Sequence, residues 1–222
     1  MRRIEAWLAA GFGLLVLLGC GNRLEAALAP GVVPEIPRET GLEPAPGRFL
    51  VARRGFLDPF FNHSVIWLLQ HDAKASFGLI VNQPLERQSA AVIPDFADTT
   101  LATLPVSHGG PVDPDMLVIL LRRPAAPVLT ARHVIADVYA SLNRQLLIDL
   151  PAGSASADTL RLFLGHVGWT PGQLAAEIER RYWHVVEADP GVVFGAGAGD
   201  LWDTLIRRLE PPSADNPDLP SW

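Results

Sequence analysis

Leu160-Arg161-Leu162-Phe163-Leu164-Gly165-His166-Val167-Gly168-Trp169-Thr170-Pro171-Gly172-Gln173-Leu174 places a strand, a turn and a helix start in one short stretch. Leu160–Leu164 is a near-continuous apolar run, broken at Arg161 and stopped by a glycine, the pattern of a strand buried on much of both faces. Thr170 is placed as N-cap, Pro171 as N1 and Gln173 as N3, which makes a capping box. Trp169 at N′ and Leu174 at N4 are placed to close a hydrophobic staple, so a helix is expected over Pro171–Arg181. The glycines of the stretch predict close backbone approach or positive φ. The free N–H groups of a helix start also suit an anion, although capping already satisfies some of them.

Outward from this stretch the chain alternates short apolar runs with turns. Phe49–Ala52, Ser64–Leu69, Gly78–Val81, Leu117–Leu121 and Leu146–Leu150 are expected as further strands, bounded by Gly, Pro, Asn or Asp. Thr130–Leu142 and Leu201–Leu209 show apolar residues at three- and four-residue spacing and are expected as helices. Strand clusters with separate helices predict an α+β domain.

The ends read differently. Met1-Arg2-Arg3 precedes an apolar run, Trp7–Leu18, that leads to Leu17-Leu18-Gly19-Cys20, which resembles a bacterial lipobox. The run is shorter than the roughly 20 residues of a spanning helix and suits the h-region of a signal peptide. Cys20, the single cysteine, is the expected lipidation site, and several acyl chains anchor stably where one does not. An uncleaved anchor, or a start further along at Val32, Val33 or Leu42, are the competing readings. Gly21–Pro46 is rich in proline and reads as an extended tether, reaching roughly 80 Å at about 3.1 Å per residue. The expected organisation is therefore 1–19 signal peptide, 20–46 lipidated cysteine and tether, 47–209 folded domain and 210–222 disordered tail, with neither end in the core. These features place the protein in the cell envelope facing the periplasm, with the outer membrane favoured over the inner.

The net charge of −6 becomes −7 once Arg2, Arg3 and Glu5 leave with the signal peptide, which argues against a nucleic-acid partner. With Cys20 acylated, no thiol remains for a disulfide, thiol catalysis or a cysteine-based zinc site.

Three groups of residues together resemble the YqgE/AlgH family. The first is Gly47-Arg48-Phe49-Leu50-Val51-Ala52 with Asp58-Pro59-Phe60-Phe61-Asn62-His63-Ser64-Val65. The second is Gly78-Leu79-Ile80-Val81-Asn82-Gln83-Pro84-Leu85 with His108-Gly109-Gly110-Pro111-Val112. The third is Gly168-Trp169-Thr170-Pro171-Gly172-Gln173-Leu174 with Trp183 and Leu201-Trp202. The resemblance covers roughly Gly47–Leu209 and implies a single α+β domain with coiled, branching β-sheets and flanking helices. It implies no reaction, cofactor or catalytic residue. Members are often labelled transcriptional regulators, but most look cytosolic, and the lipobox and tether set this chain apart from them.

Candidate chemistry is sparse. His63-Ser64 and Ser107-His108 are the nearest approach to a nucleophile and base, but no Gly-x-Ser-x-Gly elbow is present. None of the six histidines has the paired spacing of a zinc site; His63 and His71, at opposite ends of one strand, would be about 25 Å apart. No metal or cofactor is therefore expected. Asp113-Pro114-Asp115 reads as a turn. The turns at Asn82-Gln83-Pro84 and Gly109-Gly110-Pro111, set beside Gly168-Trp169, would make a shallow site of backbone donors and an aromatic wall. Asn82, Gly109, Gly110, Gly168 and Trp169 are thus the candidate ligand or partner site. The leading expectation is a membrane-tethered, non-catalytic binding or regulatory module that contacts a protein or small envelope ligand. The alternatives are a hydrolase acting on an envelope substrate, or a cytosolic regulator if the signal-peptide reading is wrong.

Overall fold

The structure, a computed structural model, describes residues 41–97, 99, 101–122, 130–150, 156–195 and 198–211. The expected signal peptide, Cys20, most of the tether and nearly all of the tail lie outside the described residues. Among the described residues there are ten strands: β1 Arg48–Ala52, β2 Val65–His71, β3 Ser76–Ile80, β4 Pro84–Gln88, β5 Pro105–His108, β6 Val112–Arg122, β7 Arg132–Ile135, β8 Val138–Ser141, β9 Leu160–Trp169 and β10 Trp183–Glu187. Five α-helices accompany them: α1 Ser89–Val92, α2 Gln145–Asp149, α3 Gln173–Glu179, α4 Pro190–Phe194 and α5 Leu201–Leu209. The strands run in the order β10-β1-β2-β3-β9-β6-β8-β7, and β5, paired to β4, branches off alongside β9. All ladders are antiparallel except β5 with β9. The fold is α+β, with one curled and branching sheet, and the described residues fall within one compact unit.

The apolar runs are continuous because the sheet is covered on both faces. Successive side chains of a strand point to opposite faces, so β6 sends Val118 and Leu120 into one core and Leu117, Ile119 and Leu121 into another. β9 does the same, with Leu160 and Leu162 in the second core and Phe163, Val167 and Trp169 in the first. At roughly 1.5–3 kcal/mol for each fully buried side chain, this double burial anchors the two strands at the centre of the sheet.

The sheet branches at Gly165. Its φ of 72° breaks the strand geometry of β9, whose first half pairs with β5 and β6 and whose last residues pair with β3. Gly109, just after β5, fills the fork: its N–H donates to the Leu164 carbonyl (2.7 Å), and its own carbonyl accepts from the Ile80 N–H (2.8 Å).

Two expected elements are replaced by the opposite type. Thr130–Leu142, expected as a helix, contains the hairpin β7–β8, turned at Ala136-Asp137 with Ala136 at φ 49°. A two-residue turn sets Ile135 opposite Val138, so Val134 and Val138 show helix-like spacing while facing the core as strand residues. Pairing with β6 and the β-branched composition decide for the strand. Leu146–Leu150, expected as a strand, lies largely in α2. Adjacent Leu146 and Leu147 are both buried in the second core, which a helix turn permits and a one-faced strand does not. The Asn143 side-chain oxygen accepts the Gln145 N–H at 3.0 Å and starts this turn. Asp113-Pro114-Asp115 is not a free turn. It lies within β6, where the register with β9 shifts between Val112 and Leu117 and Pro114 sits in the irregularity.

The start of α3 also departs from expectation. Thr170-Pro171-Gly172-Gln173 forms a type II turn, with Gly172 at φ 77° and ψ −14° and the Gln173 N–H donating to the Thr170 carbonyl (3.1 Å). The helix begins at Gln173, two residues later than a Thr170 cap requires. Half of the capping box survives: the Gln173 side-chain oxygen accepts the Thr170 N–H (3.1 Å), but the Thr170 hydroxyl donates to that oxygen instead of accepting from the backbone. Thr170→Ala is therefore expected to shift stability by less than about 0.5 kcal/mol in a urea melt, where a true cap costs about 1 kcal/mol.

Both ends of the expected domain touch more than anticipated. Leu42, within the expected tether, packs half-buried against the first core, and Arg48 donates to the Glu43 carbonyl. At the other end Glu210, the first residue of the expected tail, lies 2.7 Å from Nε2 of the buried His184. Arg161 on β9 donates to the carbonyls of Val193, Phe194 and Gly195 (3.0, 2.7 and 3.1 Å), capping the C-terminus of α4. Burial lowers the pKa of its guanidinium, and nearby Asp158 acts in the opposite direction.

Candidate functional site

The five expected site residues sit at or near the branch point, facing different ways. The Gly109-Gly110 segment crosses β9 so closely that a Cβ at Gly109 would lie 2.3 Å from the Gly165 carbonyl oxygen, and one at Gly110 2.3 Å from the His166 carbonyl. The space in front of these two glycines is filled by backbone. Gly168, two residues along, is exposed and a Cβ there would meet only the His166 ring at 3.6 Å. Asn82 is turned the other way: its side-chain oxygen accepts the Val65 N–H and its amide donates to the His63 carbonyl, both at 2.8 Å, fastening the loop before β2. Trp169 is buried in the first core and its indole N–H donates to Glu177 Oε2 at 2.8 Å.

The serines and histidines are likewise tied into local structure. Ser64 is fully buried and its hydroxyl donates to the Phe61 carbonyl (2.7 Å). Ser107 sits in β5, paired to Pro84 and Phe163. The His63 ring packs 4.0 Å from the Trp202 ring, and His71 Nδ1 lies 2.8 Å from the Ser76 hydroxyl, at the other end of β2. His166 stacks on Phe77 at 4.6 Å, with its Nε2 3.7 Å from Asp113. Among the described residues no group of three His, Cys, Asp or Glu is placed to hold a metal ion.

An open cleft of about 630 Å³ lies elsewhere, between the loop after β1 and the turn from α3 into β10. Arg54 and Leu57 line one wall, Arg180 and Arg181 the other, and Phe56 stacks on Tyr182 with ring centroids 4.8 Å apart. The Arg53 N–H donates to the Tyr182 carbonyl at 3.0 Å and holds the walls together. Asp58, the acidic residue of the lining, accepts the Phe60 and Phe61 N–H groups (2.8 and 3.1 Å) and closes its own loop. Leu57 is 86% exposed and Phe60 56% exposed on the same loop, which gives the cleft an apolar shoulder.

Arg-Arg pairs were the sequence signal available for this cleft, but they recur at 2–3, 53–54, 122–123, 180–181 and 207–208, so the pair by itself does not select it. Only the hairpin β1–β2 beside the α3–β10 connection brings Arg54 to Arg180 and Arg181.

Comparison with known proteins agrees with the fold. The sequence pattern of the AlgH-like family matches residues 49–214. A UPF0301 protein of Mycobacterium leprae is 35% identical over 170 residues, covering 73% of this chain and 81% of the relative. A UPF0301 protein of Mycobacterium tuberculosis is 34% identical over 174 residues, covering 75% and 83%. The crystal structure of a Corynebacterium diphtheriae protein superposes with a TM-score of 0.61 at 30% identity, covering 77% of this chain and 90% of that one. The solution structure of AlgH from Pseudomonas aeruginosa shares the fold, with a TM-score of 0.60 at 24% identity over 73% and 87% of the two chains. With the family pattern spanning the strands, the branch point and α5, the chain belongs to the AlgH-like family, whose function is unassigned.

Proposed function

We propose that this chain is a membrane-tethered, non-catalytic binding or regulatory module of the AlgH-like family. It is held in the cell envelope through acylated Cys20, faces the periplasm and contacts a protein or small envelope ligand. The observation that carries the binding reading is the open cleft with three arginines, an aromatic pair and an apolar shoulder, a surface suited to recognition. The nucleophile candidates support the same reading: Ser64 is buried with its hydroxyl engaged in a turn, and Ser107 is held in a strand pairing. The lipobox supports the tether, and the acidic balance disfavours nucleic acid.

Metabolic labelling with a fatty acid tests the tether. Labelling is expected on the parent chain, with an unlabelled, unprocessed precursor for Cys20→Ser; equal label on both removes the tether. Incubation with ester and amide substrates tests the rest. Turnover lost on Ser64→Ala or Ser107→Ala would replace the binding module with a hydrolase.

A further inference from the structure

We infer that the arginine cleft binds a phosphate group, the glycerophosphate of a lipid headgroup or of a soluble compound. This inference deepens the binding reading above and rests on it, but it does not depend on acylation of Cys20. Arg180 and Arg181 are exposed, and among the described residues neither side chain has a carboxylate or other hydrogen-bonding partner. Arg54 faces them from the opposite wall, 3.6 Å from Glu210 and still half exposed. Asp58 makes no ion pair with these arginines among the described residues, its Oδ1 accepting two backbone N–H groups of its own loop, so three guanidinium groups share a lining that holds one carboxylate. In a chain of net charge −6, this is a local concentration of guanidinium groups around an open volume. Guanidinium forks match phosphate oxygens in pairs, and a phosphate has enough oxygens for more than one fork.

The backbone beneath Arg181 makes this side chain testable apart from the fold. α3 ends in a Schellman motif: the Tyr182 N–H donates to the Glu177 carbonyl (3.0 Å) and the Arg181 N–H to the Ile178 carbonyl (2.9 Å). The residue between them, Arg181, takes φ 60°, the left-handed conformation that glycine adopts freely and other residues adopt only under strain. A glycine here would relax the fold. Arg181→Gly therefore removes the guanidinium from the rim of the cleft without straining the backbone, which separates the role of the side chain from that of the fold. The exposed Leu57 and Phe60 beside the cleft favour a phosphate that carries an apolar portion.

The test uses the full chain and two probes, glycerol 3-phosphate in solution and vesicles of phosphatidylglycerol compared with phosphatidylcholine. The variants are Arg180→Ala and Arg181→Gly. Arg181→Gly is expected to keep or raise Tm while the phosphatidylglycerol preference, or the affinity for glycerol 3-phosphate, falls about fivefold per arginine removed. Binding should weaken with rising salt. A preference for the vesicles alone identifies a lipid headgroup, and saturable glycerol 3-phosphate binding identifies a soluble ligand; either supports the inference. Binding unchanged in both variants, succinate bound as well as glycerol 3-phosphate, or no binding of either probe by the parent overturns it. The binding reading as a whole fails by a different result, namely turnover in the substrate assay above.

Discussion

Gly109→Ala is expected to cost more than about 4 kcal/mol in a urea melt, enough to leave little folded protein. The added Cβ would lie 2.3 Å from the Gly165 carbonyl oxygen, 3.0 Å from Leu79 and 3.1 Å from Phe163. The first neighbour is backbone and cannot rotate away. Relief requires separating the segment after β5 from β9, which breaks the Gly109 bonds to Leu164 and Ile80 that hold the fork of the sheet. Gly168→Ala is the control. There the nearest atoms are 3.6 Å away, so the change should fall within about 0.5 kcal/mol. A Gly109→Ala protein that melts with the parent would mean that the branch does not have this geometry.

Trp183→Ala is the second large effect, about 4 kcal/mol. Trp183 is 2% exposed, packs edge-on against Phe56, Phe61 and Trp169, and donates its indole N–H to Glu177 Oε2 at 2.9 Å. Glu177 Oε2 also takes the Trp169 indole N–H, and Oε1 takes the Gln173 amide at 3.0 Å, so one carboxylate joins α3, β9 and β10. Glu177→Ala leaves both indole donors without their acceptor and should cost about 2 kcal/mol. Because the two tryptophans share that acceptor, Trp169→Phe and Trp183→Phe should be non-additive in a double-mutant cycle. Additive losses in denaturant melts would show that the shared carboxylate is not coupling them.

Much of this architecture was legible one segment at a time. Phe49–Ala52, Leu117–Leu121 and Leu160–Leu164 read as strands, several of them buried on both faces, because near-continuous apolar runs have few other uses, and the two cores on either side of β6 and β9 are that use. Leu201–Leu209 read as a helix because its apolar residues repeat at helical spacing, and Leu201, Trp202, Leu205 and Ile206 are the ones buried. β4, β5 and β10 were not read. β4 is mostly exposed and short, and its pairing with β5 comes from the partner rather than from its own pattern.

The residues alone determined the α+β class, the doubly buried strands and the helix Leu201–Leu209, since these depend on periodicity and composition along short segments, and the family through the resemblance of three groups of motif residues. Tertiary structure decided the segments whose local pattern permits two answers. Thr130–Leu142 became a hairpin because β6 offered an edge, and Leu146–Leu150 entered a helix because the second core takes adjacent leucines. It also decided what the glycines and arginines are for. Gly109, Gly110 and Gly165 lie where one strand must pair with different neighbours along its length, a demand that exists only once three strands meet. Arg54 and the Arg180-Arg181 pair are more than a hundred residues apart, so their shared cleft is a property of strand order: β1 pairs with both β2 and β10, and that pairing brings distant charges to one rim.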